Sequence, residues 1–105
     1  MNKKINPTVN YTQLIILLNQ VTKKVSKYMD SPVNFAILFG DGAYDEVMFC
    51  IEYKGTDFEY TVNAPVSDLI EVLNEFGVEK FLNGLSNTLI NESMKEFFNF
   101  SINNS

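Results

Sequence analysis

The chain has 105 residues, 46% of them hydrophobic, with eight lysines, thirteen acids, no arginine and no histidine, for a formal net charge of −5. That length suits one domain, and the hydrophobic content is too high for a disordered chain. A single cysteine, Cys50, excludes an internal disulfide, while the lack of imidazole and guanidinium removes the usual neutral-pH proton shuttle and the bidentate grip on phosphate.

Charge is sorted along the chain. Met1 to Met29 holds five lysines (Lys3, Lys4, Lys23, Lys24, Lys27) and no acid, a sum of +5. Asp30 to Ser105 holds all thirteen acids and three lysines, a sum of −10. Such sorting bears on partners rather than on fold: an acidic body attracts basic partners and speeds their encounter. The start, Met1-Asn2-Lys3-Lys4, resembles the positive region of a leader. However, the apolar run Leu14–Leu18 is five residues long, passes into Asn19-Gln20 and shows no cleavage pattern. The expectation is a cytoplasmic protein with no membrane span, in which the sequons at Asn10, Asn91 and Asn99 play no part.

The first predicted element is a helix over Tyr11–Met29. Asn10 and Gln13 make a capping box, and Leu14, Leu17, Leu18, Val21, Val25 and Tyr28 form one apolar stripe at helical spacing. Lys23, Lys24 and Lys27 fall in its last turns, where cations suit the dipole. Three strands follow, over Val33–Phe39, Asp45–Tyr53 and Asp57–Asn63. They are joined by turns at Gly40–Tyr44 and Lys54-Gly55-Thr56, connections short enough for an antiparallel meander. Alternation puts Phe35, Ile37, Phe39, Val47, Phe49, Ile51, Tyr53, Phe58, Tyr60 and Val62 on a core face. The opposite face takes Asn34, Ala36, Leu38, Glu46, Met48, Cys50, Glu52, Glu59 and Thr61. Pro65 opens a second helix with a buried stripe of Val66, Leu69, Ile70, Leu73 and Phe76, stopped by Gly77. A third helix is expected over Val78–Phe98, broken near Gly84, with a frayed tail from residue 100 as at residues 1–9. The fold class is α+β, in the order α-β-β-β-α-α, as one domain spanning 1–105.

Each candidate site has a plain alternative. Asp41, Asp45 and Glu46 crowd one hairpin, but without the ligand spacing of a calcium loop, so a solvated turn is the simpler reading. Gly40-Asp41-Gly42 lacks the Gly-Lys-Ser/Thr ending of a phosphate loop. Cys50 has no histidine to activate it and acidic neighbours that suppress its thiolate. One cysteine without histidine cannot build the usual zinc set either. The expectation is therefore no metal, no cofactor and no catalytic residue. The five N-terminal lysines, beside a body of −10, make a poor nucleic-acid surface, so direct nucleic-acid binding is not expected. On the outer sheet face, Leu38, Met48 and Cys50 lie among Glu46, Glu52 and Glu59, an apolar centre within an acidic rim as at interfaces. Alternate strand residues are about 6.6–6.8 Å apart on one face, near the spacing of successive phosphates. Together with Asp68, Glu71, Glu75 and Glu79 on one helix face, such carboxylates suggest a nucleic-acid mimic.

Element order, size and acidic balance together resemble small phage-encoded anti-defence inhibitors, of the anti-CRISPR type that occupies the DNA-entry site of a Cas9 effector. The resemblance implies a non-enzymatic inhibitor of a nuclease complex, with Asp41, Asp45, Glu46, Glu52, Asp57 and Glu59 as contacts. With Met48 added from the outer face, these form the expected partner-binding set, facing a basic, nucleic-acid-handling protein. The alternatives are a homodimeric structural, assembly or chaperone-like protein joined through the outer face or an edge strand, and a toxin-neutralising immunity protein.

Overall fold

The computed structural model describes residues 11–40 and 44–104. The elements are α1 (Tyr11–Met29), β1 (Val33–Leu38), β2 (Glu46–Glu52), β3 (Glu59–Pro65) and α2 (Val66–Asn103). The strands form one antiparallel sheet in the order β1-β2-β3. The fold is α+β, a helix, a three-stranded meander and a long C-terminal helix.

α1 spans the residues its apolar stripe predicts, and Leu14, Leu17, Leu18, Val21 and Val25 are all buried. It ends where Asp30 takes a left-handed φ of 51°, a conformation that aspartate tolerates better than most residues. The Ser31 N–H then donates to the Ser26 carbonyl at 3.2 Å, and the Ser26 hydroxyl donates to the Ser31 carbonyl at 2.7 Å. The Asn10 half of the expected capping box, Lys3, Lys4, Asp41 and the expected frayed start at 1–9 lie outside the described residues.

The helix count differs from expectation: among the described residues there are two helices, not three. Gly77 does leave helical geometry, with φ 88° and ψ 173°, but the chain re-enters the helix at once and no loop intervenes. Such a φ is open to glycine and strained for other residues. The expected break at Gly84 does not occur. Phe81, Ser86, Leu89, Ile90 and Ser93 bury one side of this segment, and packing outweighs the weak helix propensity of Gly84, Ser86, Asn87 and Thr88. The helix also runs on through Asn103.

One side of the sheet makes the core. Register sets Val33 opposite Ile51, Phe35 opposite Phe49 and Ile37 opposite Val47 on one flank of β2, with Tyr60, Val62 and Ala64 on the other. Val47, Phe49 and Ile51 are fully enclosed, and both helices pack on this same side. α1 lies over β1, α2 lies over β3 and β2, and the helices pack along each other. Three residues of the expected apolar stripes and core face, Tyr28, Phe39 and Phe76, are instead exposed, as are Met94 and Phe98 on α2. Tyr28 is the penultimate residue of α1, Phe76 immediately precedes the Gly77 kink in α2, and Phe39 follows the last residue of β1.

Candidate functional site

With both helices on one side, no described element covers the other side of the sheet. Its floor is read off the register. Asn34, Cys50 and Thr61 form one row, Ala36, Met48 and Asn63 the next, and Leu38, Glu46 and Pro65 the third; Glu52 and Glu59 close the far end. Asn34, Ala36, Leu38, Glu52, Glu59, Thr61 and Asn63 are exposed, while Glu46, Met48 and Cys50, flanked on both sides, are half-buried. The three strands carry three carboxylates and no cation. Ala36 and Met48 therefore hold the middle of the face, with Leu38 beside Glu46 at one end and Glu52 and Glu59 at the other.

The two ends differ. Glu46 accepts a hydrogen bond from the Asn63 amide at 3.0 Å. At the other end Glu52 and Glu59 are direct cross-strand partners, and like charges placed so are destabilising. The Cys50 thiol donates to Glu59 Oε2 at 3.0 Å. Burial first, then that hydrogen bond, pushes the thiol up from an ordinary value near 9.0 to about 11. Cys50, Glu52 and Glu59 bring their sulfur and carboxylate atoms within 4.8 Å of one another, a grouping that composition alone did not suggest. A thiol that holds its proton this firmly is a weak metal ligand, since thiolate is the binding form.

The structure separates the other expected contacts. Asp45 belongs to the hairpin's own architecture: its carboxylate accepts from the Tyr11 hydroxyl at 2.5 Å and the Gly40 N–H at 2.9 Å, and its carbonyl accepts from Val66 N–H at 2.9 Å. The Asp45 bond is the main reason the Tyr11 phenol is raised above its ordinary value, with burial next. Gly40 has no room for a side chain, since a Cβ there would stand 2.7 Å from the Tyr44 carbonyl oxygen. Asp57 is exposed in the β2–β3 turn. The expected carboxylate track does not form. Glu46 and Glu52 stand six residues apart on β2, about 20 Å along a strand, and Gly77 interrupts the helical spacing between Glu75 and Glu79.

On the helical side, a cavity of about 520 Å³ opens between the end of α1 and the last turns of α2. Tyr28 and Met29, Tyr53, and Met94, Phe97, Phe98 and Ser101 line it. Tyr53 also stacks on Phe97 at 4.5 Å between ring centroids and shares a hydrogen bond with the Ser93 hydroxyl at 3.0 Å. The lining contains no acid and no lysine. The spacing of Met94 and Phe98, one turn apart, was the available sequence signal for this cavity, but it reads equally as core.

The fold and the face define an α+β domain whose helices lie on one side of a meander sheet and whose other side is acidic and, among the described residues, uncovered. Comparison with family models, curated proteins and solved structures finds no match. No helix among the described residues is long and apolar enough to cross a membrane.

Proposed function

We propose that the protein is a non-enzymatic, cytoplasmic inhibitor whose open sheet face docks on a basic, nucleic-acid-handling protein. The observation that carries this reading is the face itself, uncovered among the described residues, with Met48 at its centre, Leu38 beside Glu46 at one end, Glu52 and Glu59 at the other, and no cation on its strands. Asp57 extends the acidic end into the β2–β3 turn. The like-charged Glu52–Glu59 pair costs stability in the free protein, and a lysine or arginine from a partner relieves it. The resemblance to anti-CRISPR-type inhibitors agrees with this chemistry in outline and charge. Its sharper form, a phosphate-like track, is not favoured by the carboxylate spacing. Asp45, held by Tyr11 and Gly40, is a structural residue in this reading.

Capture of the tagged chain's partners at low and physiological salt, beside a Glu52→Lys/Glu59→Lys variant, tests it. The reading requires a basic protein that is retained by the wild type, weakened by salt and lost by the variant. Identical captures by both chains would place the contact elsewhere.

A further inference from the structure

We infer that β1 is a self-association edge, through which two copies pair antiparallel into one six-stranded sheet about a two-fold axis at Ala36. The inference does not depend on the docking reading. It starts from an asymmetry between the two edges of the sheet. β3 is guarded in the manner of natural edge strands, by Glu59 at one end and Pro65 at the other. β1, Val-Asn-Phe-Ala-Ile-Leu, has no charge, no proline and no glycine, and its register against β2 runs without a bulge. No described residue outside the sheet hydrogen-bonds to its backbone. The carboxylates of the sheet sit on β2 and β3, so none of them guards this edge.

The flank beside β1 is largely apolar, and its one nearby carboxylate, Asp45, is engaged by the Tyr11 hydroxyl and the Gly40 N–H. Phe39, 74% exposed, stacks on Tyr11 at 6.2 Å between centroids, which marks the side of α1 that faces this edge. Ile15 lies one turn on from Tyr11 on that side and is 38% exposed. For a chain of net charge −5, this is where a second copy meets the least repulsion. A β3–β3 contact would bring two Glu59 side chains together. Across a β1–β1 contact the nearest charged strands, the two β2, stand about 14 Å apart, beyond the screening length of about 8 Å.

Opposed residues must share a face, so the axis passes through a residue that meets its own counterpart. An axis at Ala36 is the one that pairs the whole run from Val33 to the exposed Phe39: Asn34 meets Leu38, Phe35 meets Ile37, and Val33 meets Phe39. The two outer faces then join into one continuous surface.

Sedimentation of the reduced wild type over a wide concentration range should show the mass double, and Ala36→Lys, which sets two lysines face to face on the solvent side, should remain monomeric. In a Cys50→Ser background, Ala36→Cys should form an interchain disulfide under mild oxidation, because opposed Cα atoms about 4.5–5.5 Å apart fit disulfide geometry. Thr61→Cys, equally exposed on β3, should not. A wild type that stays monomeric throughout, a dimer that survives Ala36→Lys, or crosslinking at Thr61→Cys as fast as at Ala36→Cys would each overturn the inference.

Discussion

β2 shows both sides of this molecule within seven residues. Val47, Phe49 and Ile51 face two helices and are fully enclosed, whereas Glu46, Met48, Cys50 and Glu52 face outward with no described element over them. The first side is fixed by the need to remove large apolar groups from water. The second carries apolar and acidic side chains together and includes a like-charge pair that folding does not favour. In the proposed docking, Met48 on the open side meets the partner rather than the core.

The largest effect that sharpens this contrast is on the covered side. Phe49→Ala should cost about 3–5 kcal/mol, read as a fall in the urea midpoint. Gly77→Ala comes next, at about 1–3 kcal/mol, because alanine must adopt φ 88° and ψ 173°, a region essentially restricted to glycine, or straighten α2. A result within error would mean the helix straightens freely. Ser86→Ala tests the covered side in the opposite direction. Its hydroxyl is fully buried and has no hydrogen-bond partner among the described residues, so its removal should leave stability unchanged or raise it by about 1 kcal/mol. A clear loss would mean that the hydroxyl is satisfied after all.

On the open side the expected effects are chemical rather than structural. The Cys50 thiol, raised from about 9.0 to about 11, keeps its proton longer in the folded state than in the unfolded one. Its contribution to stability is therefore intact below pH 9 and falls as pH rises from about 9 towards 11. Glu59→Gln removes the charge and weakens the hydrogen bond but leaves the burial. The pH midpoint for alkylation of Cys50 should accordingly move down only part of the way. An unchanged midpoint would mean that burial alone sets it.

Much of the fold was legible in the sequence because two periods are unambiguous here. The stripe from Leu14 to Val25 defines α1, and the alternation through Val47, Phe49 and Ile51 defines the covered face. The joined second helix was less legible, since Gly77 and Gly84 read alike as breakers while only the backbone at Gly77 departs from helix. The site was partly legible. Parity placed Glu46, Met48, Cys50, Glu52 and Glu59 on one face, but only cross-strand register shows that Glu52 and Glu59 are opposed. Asp45 read as a surface acid because the Tyr11 hydroxyl that holds it is 34 residues away in sequence.

The central claim is that the open face is kept for a partner at some cost to the fold, and Glu59→Lys tests it most directly. This change turns the opposed like charges into an opposite pair, worth about 0.2–1 kcal/mol in a sheet, and reverses one end of the face. Urea unfolding and partner capture, measured on the same preparation, should show a chain at least as stable as wild type that has lost its basic partner. A variant that still binds that partner as wild type does would contradict the account.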